Sequence, residues 1–200
     1  MIYVVFTVQN EKEYKNAALS LSNITPELTE QYSILILASK DFYIKCRNEL
    51  PQTREGGVYW EFLCNLLEED TSIHHNLYIA DKYSLVILVK PSHILQYGSI
   101  HKLSLAYMDT FNNKAGLVAI EKGFNRIQCD DLYKNEWKII DNPITADYEP
   151  VDSVISATII TSYQNLMGGY LGNLIEYGLF LRRLGFSNYL LKETLVTEDK

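Results

Sequence analysis

An α/β fold, with a mostly parallel sheet flanked by helices in one domain over residues 1–200, is predicted by three observations. Ile2 to Val8 (IYVVFTV) and Ser33 to Ala38 (SILILA) are uninterrupted β-branched and apolar runs, the pattern of strands buried on both faces. Each is followed at once by a helical segment with a polar start, the rhythm of parallel strands joined by crossover helices. A third run, Leu85 to Val89 (LVILV), is the most apolar in the chain and stops where Pro91 breaks it.

Taken in order, Asn10 with Glu13 three residues on reads as a capping-box start. Tyr14, Ala18 and Leu21 mark one face of the first helix. Asp41 opens a second helix, to about Leu50. Pro51 to Gly57 reads as a loop, and Val58, Phe62, Leu63, Leu66 and Leu67 have the spacing of an apolar helix. Leu77 to Ala80 is a short strand, and Ser99 to Met108 a helix. Gly116 to Ile120, Trp137 to Ile140 and Val154 to Thr161 are strand-like; Cys129 to Asp131 and Asn142 to Pro150 read as loops. Ser162 to Met167 is a short helix or turn. Gly168 to Phe186 (GGYLGNLIEYGLFLRRLGF) reads as a glycine-rich turn, then a helix closing at Gly185 with Arg182 and Arg183 in its last turn. Tyr189 to Val196 holds a last strand, and the final four residues are expected to fray.

The bulk numbers exclude several classes. A 47% hydrophobic and 22% charged composition is that of a globular protein. A net charge of −7 argues against nucleic acid as partner, because phosphate backbones need a basic surface. Fifteen tyrosines supply half-wet contact area suited to sugars or nucleotides, and an AT-rich coding bias accounts for them equally. Three widely spaced cysteines, Cys46, Cys64 and Cys129, form no CxxC pair, which points to a reducing, cytoplasmic setting and to neither a zinc site nor a disulfide framework. No run is long enough to span a membrane, and the first residues lack the basic flank of a signal peptide. There is no GxSxG, P-loop or dinucleotide-binding glycine fingerprint.

Several motifs recur in an order that resembles the family 2 glycosyltransferases. Val4 to Glu11 through Ser20-Leu21 resembles that family's opening strand, Asn-Glu and helix with a Ser-Leu. Ile34 to Asp41 resembles its second strand with a Ser-x-Asp turn, and Arg54 to Asn65 its Asn-x-Gly segment. Val151 to Ile160 resembles the strand behind the acceptor, Gly168-Gly169-Tyr170 its Gly-Gly-aromatic turn, and Glu176 to Phe186 its acidic helix. The resemblance implies a GT-A-like, Rossmann-like fold. It further implies a nucleotide-sugar donor such as a UDP-sugar, a glycan or other hydroxyl acceptor, and inverting transfer.

One departure bears on chemistry. The family's strand equivalent to Leu85–Val89 ends in Asp-x-Asp, whose carboxylates hold a divalent cation. Here Lys90-Pro91-Ser92-His93 fills the place, so manganese or magnesium loses its expected ligands and no metal ligand is assigned. Lys90 then replaces the metal's charge, or is a solvated loop cation; His93 adds a second charge or a lone ligand, or merely packs. Thr7, Gln9, Asn10, Glu11 and Asp41 are the remaining donor-side candidates, at the carboxyl ends of strands where open α/β sheets bind ligands. Asn10 and Asp41 equally suit helix N-caps. On the acceptor side the resemblance places Gly168, Gly169, Tyr170 and Arg182. Glu176 stands where the family keeps its catalytic carboxylate, and also at the N3 position of a capping box begun by Asn173. A relative that keeps the fold as a binding or scaffold module, without transfer, is the alternative. Glu68-Glu69-Asp70 and His74-His75 read as a solvated loop, and Cys64 as a packing residue.

Overall fold

The computed structural model describes residues 1–50, 61–67, 73–77, 81–111, 114–120, 126–134, 136–140, 146–170, 172–191 and 196–198. The chain begins with β1 (Ile2–Val8), α1 (Glu11–Ile24), a 3-10 turn (Thr25–Glu27), β2 (Tyr32–Ala38), α2 (Lys40–Glu49) and β3 (Glu61–Leu66). Next come α3 (Ile73–Asn76), β4 (Leu85–Leu88), β5 (His93–Leu95), α4 (Ser99–Phe111), β6 (Ala115–Ile120), β7 (Arg126–Asp131) and β8 (Glu136–Ile140). It continues with β9 (Tyr148–Val151), β10 (Ser153–Val154), β11 (Thr158–Ser162), α5 (Tyr163–Gly169), α6 (Leu174–Arg183), β12 (Ser187–Leu191) and β13 (Val196–Glu198).

Eight strands form the central sheet in the order β3-β2-β1-β4-β11-β6-β12-β9. β3, β2, β1 and β4 are mutually parallel, as are β6 and β12; β11 and β9 run against their neighbours. Period-two alternation divides the sheet's side chains between two cores. Val4, Phe6 and Val8 of β1 and Ile34 and Ile36 of β2 join Leu21 and Ile24 of α1 and Leu103 of α4 on one face. Tyr3, Val5, Leu35 and Leu37 join Leu166 of α5 and Tyr177 and Leu181 of α6 on the other. The mostly parallel α/β sheet flanked by helices therefore follows the sequence reading. Both faces are covered, which is why its strands read as unbroken apolar runs.

Several readings are corrected. Glu61–Leu66 is a strand, not a helix: Phe62 and Leu63 point to opposite cores, and Leu66 is exposed at the sheet's edge. Cys129–Asp131 lies in β7, not a loop, paired with β8. Tyr148–Pro150 belongs to β9, an edge strand of the sheet, where proline's missing N–H does no harm. Val154–Thr161 is two strands separated by a bend at Ile155–Ser156. Gly168 and Gly169 end α5 rather than forming a turn, and Gly169 leaves room for the Phe180 ring of α6. The N-cap of α2 is Ser39, with Asp41 inside the first turn. Thr197 and Glu198 are not frayed: β13 pairs antiparallel with β5. Leu77 closes α3 instead of opening a strand. The expected loop Pro51–Gly57, the segment 78–80 and Glu68–Asp70 lie outside the described residues. His74 and His75 fall in α3, not a loop.

Helix α6 ends as the sequence predicts. Gly185 has φ +83°, its N–H bonds to Arg182 O, and the Phe186 N–H reaches Leu181 O at 3.0 Å, a Schellman stop.

Candidate functional site

The site begins with how α1 holds the turn after β4. Asn16, Ser20 and Asn23 lie at i, i+4 and i+7, one face of the helix. Asn16 Nδ2 donates to Pro91 O at 3.0 Å, Ser20 Oγ accepts from Leu95 N, and Asn23 Nδ2 donates to Leu95 O. Between these pins the chain turns at Lys90-Pro91-Ser92-His93, closed by His93 N–H to Lys90 O at 2.9 Å. Pro91 sits at the second position of the turn, where its fixed φ is already suitable. Lys90 N–H donates to Thr158 Oγ1 at 3.1 Å, tying the turn to β11.

That turn carries a cluster of polar groups. Lys90 Nζ lies 2.8 Å from Glu198 Oε1, and Ser92 Oγ donates to the same oxygen at 3.0 Å. His93 is buried; Nδ1 is 2.9 Å from Thr158 Oγ1, and Nε2 faces Glu198 Oε1 from 3.5 Å. Burial first, then the Lys90 ammonium, pushes the His93 pKa down to about 4, against the pull of Glu198. The ring is neutral near pH 7, so the second positive charge allowed it by the sequence is not available. The bonds from Lys90 and Ser92 hold the Glu198 carboxyl below its ordinary range.

Beside this cluster a cleft of about 560 Å³ opens at the carboxyl ends of β1 and β4. Thr7, Lys90 and Pro91 form one wall, Ser156 and Ala157 the floor of the bend, and Tyr170 with Asn173–Ile175 the other wall. A smaller cavity of about 360 Å³, bordered by Asn10, Glu13, Asn16 and Ser92, shares Lys90, Pro91 and Ser156 with it. Tyr170 stands edge-on to Tyr177, 5.4 Å between centroids, and the Tyr177 hydroxyl is fixed on Thr161 at 2.9 Å.

The predicted residues distribute unevenly around this cleft. Thr7, Lys90 and Tyr170 line it, and Asn10 borders the adjoining cavity. Asn10 is also the N-cap of α1, its Oδ1 accepting from Glu13 N at 3.0 Å, while the Glu13 carboxylate takes the Gln9 N–H. Glu11 pairs with Lys45 of α2 at 2.9 Å, and neither Gln9, Glu11 nor the exposed Asp41 lines the cleft. Glu176 is exposed, one residue past the lining. Its N–H is capped by Asn173 Oδ1, but its carboxylate takes no hydrogen bond among the described residues, so only half of a capping box forms. Gly168 and Gly169 stay outside the lining. Arg182, at the far end of α6, bonds to Asp152 Oδ1 at 3.1 Å and borders a separate cavity with Arg126 and Glu149.

Sequence reasoning missed Ser92, Thr158 and Glu198. Glu198 lies 108 residues from Lys90 and has no local motif to reveal it. The α1 pins had a signal, three polar residues at helical spacing on a buried face.

A divalent cation, implied by the resemblance, does not fit these residues. It needs about six oxygen ligands. Among the described residues, the Glu198 carboxylate at the turn is already bound by an ammonium, and no group of three or more His, Cys, Asp or Glu is placed to hold a metal. The cysteines offer no nucleophile either. Burial pushes the Cys46 thiol up to about 12 and Cys64 to about 11. At pH 8 a thiol of pKa 12 is thiolate in about one molecule in ten thousand. Cys46 is therefore expected to stay unmodified by a disulfide reagent until the protein is unfolded, as counted by released chromophore.

No helix among the described residues is long and apolar enough to cross a membrane. No protein-family model matches the chain, and no curated protein matches it. Solved structures do. Over its whole length the chain is similar to the 4-diphosphocytidyl-2C-methyl-D-erythritol synthase of Anaerococcus prevotii, at 12% identity and TM-score 0.54, covering 92% of that chain. It is similar to S. aureus TarS residues 1–349 in complex with UDP-GlcNAc, at 11% identity and TM-score 0.50, again over its whole length. It spans only about 60% of that TarS chain. At such identities the likeness is one of fold: a mostly parallel α/β sheet shared with a UDP-GlcNAc-bound protein and with a synthase of a diphosphocytidyl compound.

Proposed function

We propose that this chain is a nucleotide-sugar-dependent glycosyltransferase that works without a metal ion and inverts the sugar centre. The observation that carries the reading is the cleft at the carboxyl ends of β1 and β4, with the Lys90 ammonium on its wall. Open α/β sheets bind their ligands at that edge. The Lys90 ammonium, now paired with Glu198, supplies at this edge the positive charge that a departing diphosphate needs. Tyr170 offers a ring for the sugar or base, and Glu176 serves as the base that takes the acceptor's proton.

The test is calorimetry with UDP-GlcNAc and UDP, chosen because a protein of like fold is solved with the former, followed by sugar-transfer assays in excess chelator. Binding and undiminished transfer with chelator are expected; strict manganese dependence would sink the metal-free part. Lys90→Ala should weaken donor binding by roughly 10- to 100-fold, the size of one lost charge-assisted hydrogen bond. A second reading, a binding module without transfer, is favoured by the Glu176 carboxylate lying outside the cleft lining. Donor binding with neither transfer nor donor hydrolysis would select it.

A further inference from the structure

The turn after β4 presents three polar groups to one point. Lys90 Nζ and Ser92 Oγ bond to Glu198 Oε1 at 2.8 and 3.0 Å. The third, His93 Nε2, is fully buried, has no hydrogen-bond partner among the described residues, and faces the same oxygen from 3.5 Å. Thr158 Oγ1 accepts the Lys90 N–H, leaving its own proton to donate to His93 Nδ1. Because Nε2 faces a carboxylate oxygen, which can only accept, the imidazole proton is assigned to Nε2, and all three groups are then donors aimed at one anionic position.

We infer that Lys90, Ser92 and His93 form an anion site for a phosphate group of a diphosphate, and that the Glu198 carboxylate is its internal occupant, displaced when the ligand binds. This rests on the nucleotide-sugar reading above for the identity of the ligand. Three features favour a larger anion than the one present. A planar carboxylate fills two of the three donors and leaves a buried N–H short of its partner, which is costly. A tetrahedral phosphate has oxygens enough for all three. The donors adjoin the open cleft through Lys90, and a diphosphate carries more charge than one carboxylate.

The occupant is built to leave. Glu198 is 38% exposed, so its pair with Lys90 is well screened and contributes little. It is carried on the three-residue strand β13, which among the described residues pairs with β5 at Val196–Leu95, Thr197–Ile94 and Glu198–His93. Such a short two-stranded ribbon opens easily.

The test uses inorganic pyrophosphate and UDP-GlcNAc on the full chain and on Glu198→Gln, which keeps the side chain's size and removes its charge. Pyrophosphate should bind the variant about tenfold more tightly than the parent, since the internal competitor is weakened. In the parent protein, pyrophosphate should accelerate amide exchange at Val196–Glu198 and leave β1 and β4 unchanged. Equal or weaker pyrophosphate binding by the variant overturns the inference. So does unchanged exchange at Val196–Glu198 under saturating pyrophosphate. If pyrophosphate behaves as expected and UDP-GlcNAc does not bind, the anion site stands and the nucleotide-sugar reading falls. If UDP-GlcNAc binds parent and variant alike, the reading stands and Glu198 is not the occupant.

Discussion

Glu176→Gln is expected to lower the turnover of sugar transfer by about 10²- to 10⁴-fold, the usual contribution of a general base. Donor affinity and thermal stability should barely change. The glutamine keeps the side chain's shape and removes only its capacity to take a proton. Stability is insulated because the carboxylate is exposed and makes no hydrogen bond among the described residues; the cap of α6 comes from Asn173, whose Oδ1 accepts from both Ile175 N and Glu176 N. What remains is the attraction of one exposed charge to the helix N-terminus, a few tenths of a kcal/mol. Asn173–Ile175 line the cleft, so an acceptor lying along that wall reaches the first turn of α6, where a base must come within about 3 Å of the hydroxyl. The measurement is kcat and KM with a hydroxyl acceptor, beside a thermal melt. Transfer at the native rate removes Glu176 from the chemistry. A parallel fall in melting temperature would assign it to the cap instead.

The parts of this molecule that were legible in its sequence are those whose reason is local. β1, β2 and β4 are covered on both faces, so nearly every residue is apolar, Thr7 and Ser33 excepted, and the runs announced themselves. The α6 stop was legible because Gly185 must adopt a positive φ. β3 was not: Val58, Phe62 and Leu66 with Leu63 and Leu67 satisfy a helical period, while the partner that makes this segment a strand is β2, some 28 residues away in register (Ser33 opposite Glu61). The site divided the same way. Thr7 and Lys90, which line the candidate cleft, were legible as candidates because they lie at the carboxyl ends of apolar strands. Glu198 was not, because its role depends on β13 folding back on β5. Glu11 shows the converse. A carboxylate after a strand suggests a ligand, but this one is held by Lys45, which also stands 4.1 Å over the Tyr14 ring.

Gly178→Ala is expected to destabilise the protein although alanine is the better helix former. Two effects oppose each other. Replacing a mid-helix glycine gains up to about 1 kcal/mol of helix propensity. A β-carbon at 178, however, would overlap the Ser153 Oγ, stand 2.7 Å from Ser153 Cβ and 3.0 Å from its Cα. Ser153 cannot simply swing aside, since it is fully buried and its hydroxyl donates to Leu174 O at 2.8 Å. Overpacking of this kind costs about 1–3 kcal/mol, so the clash outweighs the propensity. With the clash at about 2–3 kcal/mol, the upper half of that range, the net loss of about 1–2 kcal/mol corresponds to roughly 2–8 °C in melting temperature for a chain of this size. Ser153→Gly removes both offending side-chain atoms. In the parent it should destabilise, by losing the bond to Leu174; in the Gly178→Ala background it should restore stability. That reversal of sign in a double-mutant cycle distinguishes a direct clash from a general intolerance of the helix to substitution. The same contact sets how deep α6 sits against β10, and thereby where Asn173 to Ile175 meet the cleft. If the clash is relieved by moving the helix rather than by unfolding it, Gly178→Ala should cost transfer more than it costs donor binding, and Ser153→Gly should recover both together.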